Sequence, residues 1–310
     1  MELDPKAKAL LTAIAAAGLP DIGGIPLGLA REQVEKGYAR MKIPVKKVGS
    51  VLNIDIPGPG GKLPLRIYIP EGKGPYPVMV FFHGGGWVFF GLDAYDPIST
   101  HLCSATGCMV VSVDYRLSPE YKFPAAVNDC FFATGWISEN CRSWNGNPDC
   151  LFLAGDSAGG NLATVTAMRI CQEGGPIVRG QVLIYPVTDY LKPEKSSYLE
   201  FAEGYGLSRN DMKWFWDKYL DGEKDSLDPK AAPLLTSDLS GLPPALMIVS
   251  GHDLLRDEGI AYAKRLEEAG VAVRLSVYED MIHGFMSYLG ILKQAKKALE
   301  EISVWVKQYC

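Results

Sequence analysis

The stretch Gly155-Asp156-Ser157-Ala158-Gly159-Gly160 sets the tightest limit on how this chain can fold. Before it, Cys150-Leu151-Phe152-Leu153-Ala154 is a short apolar run that reads as a buried strand; after it, Asn161 to Arg169 reads as a helix. A strand that becomes a helix within a few residues has no room for side chains two positions either side of the tip, and Gly155 and Gly159 leave that room. The spacing predicts a sharp turn with Ser157 at its tip, its backbone strained, its hydroxyl above a sheet and the positive end of a helix beneath it. Glycine and serine in this spacing also mark ordinary loops. The strand before and the helix after are what make this a place for a nucleophile.

Pro77 to Phe82 and Cys108 to Val113 are continuous apolar runs, as expected of strands buried on both faces. Gly180 to Tyr185, Ala245 to Ser250 and Val273 to Tyr278 add further strands, and Ala125 to Asn140, Arg256 to Ala269 and Ile291 to Gln308 read as helices. Strands alternating with helices predict an α/β chain with a mostly parallel sheet covered on both faces. Val48 to Ile56 and Leu63 to Ile69 alternate instead, with Pro57-Gly58-Pro59-Gly60-Gly61 as the turn between them.

Residues 1–45 read as a separate helical piece: a helix near Ala9 to Ala17, an irregular Gly/Pro stretch from Leu19 to Gly28, and a charged helix from Arg31 to Met41. No strand pattern occurs between Tyr185 and Pro243, and so long a structureless loop is out of place in a compact domain. Residues 186–242 are therefore expected to be an inserted helical element that forms a cap with residues 1–45. The α/β domain is then split between 46–185 and 243–310.

Composition narrows the partners. With 47% hydrophobic and 22% charged residues the 310-residue chain has the balance of a soluble globular protein, and a net charge of −5 gives no reason to expect nucleic acid. Seven cysteines, odd in number and without a C-x-x-C, support neither a disulfide framework nor a zinc site. Cys103, Cys108, Cys130, Cys150 and Cys171 lie in or beside apolar segments, where free thiols act as small buried hydrophobes, and a reducing cytoplasm fits them best. Lys6 and Lys8 before the apolar run to Ala17 resemble a short signal sequence. Glu2 and Asp4 make its start acidic, however, and Leu3, Leu10, Leu11 and Ile14 share a helical face, so an amphipathic helix is expected. No run approaches the roughly 18 apolar residues that cross a membrane.

A serine hydroxyl needs a base, and the base needs a carboxylate to orient it. Of four histidines only His252 and His283 follow Ser157, which is the chain order that a strand-to-helix serine turn requires. Asp253 and His283 lie just past the C-terminal ends of consecutive strands, the edge where parallel sheets build sites. The expected triad is therefore Ser157, His283 and Asp253, with Asp257 the alternative carboxylate. Oxyanion donors are expected from the backbone of Gly84, Gly85 and Gly86 and from Ala158. No G-K-[ST] or G-x-G-x-x-G pattern makes the glycine run a phosphate loop.

At these residues the chain resembles the hormone-sensitive-lipase-like branch of the α/β-hydrolases, the microbial carboxylesterases of family IV. His83-Gly84-Gly85-Gly86-Trp87, Asp114 to Glu120, Phe123-Pro124-Ala125-Ala126, Gly155 to Gly160, Asp253 to Glu258 and Ile282-His283-Gly284-Phe285 carry the likeness, which spans nearly the whole chain. The resemblance implies an eight-stranded mixed sheet, a cap from the N-terminal helices and an insertion after the sixth strand, and no metal or organic cofactor. It also implies structural roles for Asp156, Glu120 and His83. Leu254 departs from the family's usual proline after the aspartate, which puts the rigidity of that loop in question.

The expected activity is hydrolysis of short- to medium-chain acyl esters through an acyl-enzyme. The alternatives are an amidase or deacetylase using the same triad, or a non-catalytic ligand-binding relative. The expected partner is a small-molecule ester, without nucleic acid or stable membrane insertion, and with a homo-oligomer left open. Met212, Phe215, Trp216 and Tyr219 share one face of a helix from Met212 to Leu220. Trp87, Met212, Phe215 and Trp216 are accordingly the candidates for a pocket wall that limits chain length, with an optimum at about four to eight acyl carbons.

Overall fold

The computed structural model describes residues 2–18, 21–191 and 196–310. The irregular stretch expected from Leu19 falls partly on residues 19 and 20, and the inserted segment partly on 192–195, all outside the described residues. β1 (Ser50–Gly58) and β2 (Gly61–Ile69) form the antiparallel hairpin expected from their alternation. β2 then pairs antiparallel with β4 (Met109–Val113). The rest of the ladder is parallel: β3 (Tyr76–Phe82), β5 (Gly146–Asp156), β6 (Val178–Ile184), β7 (Ala245–His252) and β8 (Val273–Ile282) complete one eight-stranded sheet in the order β1-β2-β4-β3-β5-β6-β7-β8.

The period of two along β3 divides the core. Val78, Val80 and Phe82 pack on one face with α4 (Ala125–Asn140), α5 (Ala158–Glu173) and α8 (Arg256–Glu268), through Cys130, Leu162 and Tyr262. Met79 and Phe81 pack on the other face with α3 (Leu92–Thr106) and α9 (Lys293–Gln308), through Leu102, Ile302 and Trp305. The helix α3 has no counterpart in the periodicity reading, because Pro97 lies inside it and hydroxyl and cysteine side chains fill positions where aliphatic ones would signal a helix.

Two helices precede the sheet, α1 (Pro5–Ala16) and α2 (Leu27–Arg40). The apolar face expected on the first is only partly used: Ala7 is buried, Leu10 and Leu11 are half-buried, and Ile14 is 48% exposed. Its contact with the sheet is made at its start, where the Asp4 N–H donates to the Asp280 carbonyl. Between β6 and β7 the described residues carry α6 (Ser196–Glu200) and α7 (Arg209–Tyr219), the latter opened by a reciprocal capping box between Ser208 and Asp211.

The cysteine reading needs correction. Cys150 on β5 and Cys310 at the chain's end form a disulfide across a sequence separation of 160, so only the fold brings them together. With it goes the cysteine argument for a reducing cytoplasm. Cys103, Cys108 and Cys130 are buried thiols as expected, whereas Cys171, at the end of α5, is exposed. Among the described residues no helix is long and apolar enough to cross a membrane.

Candidate active site

Ser157 stands between β5 and α5 at φ 54°, ψ −120°. The crowding that demands glycine on either side is measurable: a Cβ on Gly155 would lie 2.2 Å from the Gly159 carbonyl oxygen, and one on Gly159 would lie 2.0 Å from the Phe82 carbonyl oxygen. The Ser157 N–H donates to the Ile184 carbonyl at 2.9 Å, which fixes the tip against β6.

The parallel register of β7 and β8 pairs His252 with Ile282, so the next residue on each strand emerges at the same edge. Those residues are Asp253 and His283. The Ser157 hydroxyl lies 2.9 Å from His283 Nε2, and His283 Nδ1 lies 2.7 Å from Asp253 Oδ2. Asp253 is 1% exposed, and its other oxygen accepts the Leu255 N–H at 2.9 Å. Leu254, in place of proline, does not leave this loop free: it is buried, and its carbonyl accepts the Ser197 hydroxyl at 2.7 Å.

Asp257 is directed elsewhere, accepting the Ser197 N–H and the Arg256 Nε–H at 2.9 Å each. The remaining histidines are held apart from Ser157. His83 is wholly buried, stacked 4.3 Å from Tyr115, and its Nδ1 is 2.8 Å from the Gly84 carbonyl; burial pulls its pKa down to about 4. His101 Nδ1 meets the Pro97 carbonyl at 2.7 Å, and the His252 ring packs against Phe201 and Tyr205.

Of the glycine run, Gly84 faces inward. Its N–H is shared between the Tyr95 hydroxyl at 2.9 Å and Asp156 Oδ1 at 3.0 Å, so it is not directed at an oxyanion, and the expectation is narrowed to Gly85, Gly86 and Ala158. Tyr95 also donates to Asp156 Oδ2 at 3.0 Å. Burial pushes the Asp156 carboxyl up to about 6, against the pull of these hydrogen bonds. Gly86, at φ +60°, passes so close to α7 that a Cβ would lie 2.2 Å from the Phe215 ring.

Ser157 and His283 open onto a cavity of about 280 Å³ walled by Gly85, Gly86, Phe89, Phe90 and Phe215 and bounded by Val34 of α2. Of the four pocket candidates only Phe215 reaches it. Trp216 packs 4.8 Å from Trp87 and 5.4 Å from Tyr190, Trp87 stacks on Tyr219 at 4.2 Å, and Met212 is buried in the core beneath α7. A helical face spanning i to i+7 is wider than the cavity, and most of it clamps the loop after the glycine run. Sequence reasoning missed Tyr95, Phe90 and Arg31. Arg31 on α2 donates to the Val88 and Ser118 carbonyls at 3.0 and 2.9 Å and forks onto Glu120. Their signals are spatial, since each partner lies far away in sequence or in a segment without periodicity.

A family model described as the alpha/beta hydrolase fold matches residues 79–287. The chain belongs to the α/β-hydrolases, in their hormone-sensitive-lipase-like branch. It is 43% identical over 247 residues to the carboxylic ester hydrolase LipN of Mycobacterium tuberculosis, a match covering 76% of this chain and 64% of that relative, just under two thirds of its length. It is 37% identical to the ethyl acetate hydrolase of Pseudomonas putida, over 81% of this chain and 80% of the other. Among solved structures it is similar to the hyperthermophilic esterase of the archaeon Pyrobaculum calidifontis, with a TM-score of 0.96 at 37% identity and 99% of each chain covered.

Proposed function

We propose that this chain is a serine carboxylesterase that hydrolyses short- to medium-chain acyl esters through an acyl-enzyme. The observation that carries the reading is the continuous hydrogen-bonded line from Ser157 through His283 to Asp253 at one sheet edge. Asp253 holds the tautomer with the proton on Nδ1, which leaves Nε2 to accept the serine proton as Oγ attacks the acyl carbon. The oxyanion accepts from the N–H groups of Gly85, Gly86 and Ala158. Collapse expels the alcohol, protonated by His283, and water repeats the sequence to release the acid and restore Ser157.

Relatives named for ester hydrolysis support the choice of bond. We take residues 1–45 and 186–242 as the two parts of a cap, since α2 and α7 both border the Ser157 cavity. At about 280 Å³ the cavity is small beside the ~300–1,000 Å³ of typical small-molecule sites, which supports short acyl chains. Each buried methylene contributes about 0.8 kcal/mol, roughly fourfold in kcat/KM, until Phe215 is met. The optimum then lies at about four to eight acyl carbons.

An organophosphonate should label Ser157 and stop turnover of nitrophenyl esters, and Ser157→Ala should lose the label and on the order of 10⁴-fold or more in kcat. A label on another serine, or turnover that persists in the variant, would refute the assignment. Matching nitroanilides should turn over far more slowly. The reverse preference would make the protein an amidase.

A further inference from the structure

A second cavity, about 870 Å³ in volume, lies beside the Ser157 cavity, and one side chain lines both: Phe90. The helix α2 runs along the boundary, giving Val34 to the smaller space and Glu35 and Tyr38 to the larger. The Tyr38 ring lies 5.3 Å from Phe90 and stacks 6.4 Å from Tyr95, which stands on the Ser157 side. At Phe90 the partition is thus a single ring thick. That ring is carried on a backbone at φ 73°, a conformation that bulky residues rarely adopt and glycine adopts freely, so the structure bears strain to keep a phenyl group there.

We infer that the larger cavity is a subsite for the alcohol arm of the substrate, and that Phe90 gates it. The inference rests on Ser157 being the nucleophile. With the acyl chain assigned to the space at Phe215, the other arm is assigned to the wall that Phe90 forms, since only there, among the described residues, does the smaller cavity share a residue with the larger. The larger space offers Tyr38, Leu92 and Leu117 together with Arg66 and Arg116. Both guanidinium groups are already paired, Arg66 with Asp93 and Asp96 and Arg116 with Asp129, each at 2.8 Å. Lys62 is likewise paired with Asp55 at 3.1 Å, Asp114 faces Arg66, and Glu35 and Lys42 are exposed to water. That leaves the aromatic and aliphatic surface for the ligand, so the arm it fits is neutral and ring-bearing, an aryl or fused-ring alcohol.

Phenyl and 2-naphthyl acetate differ by one fused ring on otherwise similar leaving groups, and the ratio of their kcat/KM values reads the subsite. Phe90→Ala, with Phe90→Leu as the milder variant, should raise the naphthyl-to-phenyl ratio by about tenfold. Ala94 lines the larger cavity, and Ala94→Trp should lower the ratio severalfold in the native chain and cancel the gain in the Phe90→Ala chain. Rates are expressed per phosphonate-labelled site, so that misfolded protein does not count. A ratio that stays within about twofold of native under the Phe90 changes, or under Ala94→Trp, overturns the inference. Loss of the label from Ser157 in the native chain would instead remove the reading beneath it, whatever the ratio does.

Discussion

The floor of the Ser157 cavity and its roof are held by different forces. Ser157, Asp253 and His283 stand on strand ends, and the ladder of backbone hydrogen bonds between β5, β6, β7 and β8 sets their spacing. The roof is made by side chains: α7 buries Met212, Phe215, Trp216 and Tyr219, whereas α2 buries only Ala30 and is tied down by Arg31. A change in the floor should therefore alter chemistry while leaving the packing intact. A change in the roof should alter packing first and chemistry only where a side chain reaches the cavity.

The largest effect tests the floor. Asp253→Asn should lower kcat by about 10⁴-fold through the tautomer of His283, with a melting temperature close to native. Asp257→Asn, whose carboxylate serves Ser197 and Arg256, should lower kcat far less. The opposite ranking would transfer the orienting role to Asp257 and break the strand-end account of the floor.

The roof comes next, and it separates two neighbours on one helix. Trp216→Ala should cost about 3–5 kcal/mol of stability and leave the chain-length profile of kcat/KM unchanged, because the indole packs on Trp87 and Tyr190 behind the cavity. Phe215→Ala should shift the optimum to longer acyl chains, because this ring reaches the cavity. A shifted profile in Trp216→Ala with none in Phe215→Ala would reverse the placement of the wall.

The same division explains what could be read from the residues alone. Apolar runs and the glycines around Ser157 fixed the strands, and strand order then placed Asp253 beside His283; these are local signals whose consequences propagate through backbone pairing. The inward turn of Gly84 was not legible, because it depends on Tyr95 and Asp156, which lie 11 and 72 residues away. Nor was the division of labour along α7, since periodicity tells which residues are buried and not what they are buried against. The Cys150–Cys310 pair is the same case, two residues without a motif that meet only after the sheet and α9 have formed.

Asp156 joins the floor to the glycine run, and its titration gives a smaller effect of known sign. Its carboxyl is raised to about 6 from an ordinary 3.8, so the folded protein holds a proton that the unfolded chain has released. The resulting stabilisation is fully present below about pH 4 and lost as pH rises through about 6, and amounts to at most about 3 kcal/mol. Asp156→Asn removes this dependence while keeping an acceptor for the Gly84 N–H. Its melting temperature should therefore gain on the native protein between pH 5 and pH 8, and a gap constant with pH would show that the carboxylate is not desolvated.

The smallest effect concerns how α2 is fastened. Arg31 makes two kinds of bond there, to the Val88 and Ser118 carbonyls and to the carboxylate of Glu120. The side chain of Glu120 is half exposed, and such ion pairs contribute between nothing and about 1 kcal/mol, with screening by salt. The carbonyl bonds are partly buried, and a charged donor to a carbonyl is worth more, about 1.5–3 kcal/mol. Arg31→Ala should accordingly lower stability by about 1–3 kcal/mol, and Glu120→Gln by well under 1 kcal/mol. Arg31→Lys should fall between them, since one ammonium group does not span three acceptors as a guanidinium does. Thermal melts of the three variants at low and high salt resolve the two contributions. If Glu120→Gln costs as much as Arg31→Ala, and both losses fade with salt, then α2 is held by surface charge, and this half of the roof is looser than the carbonyl bonds imply.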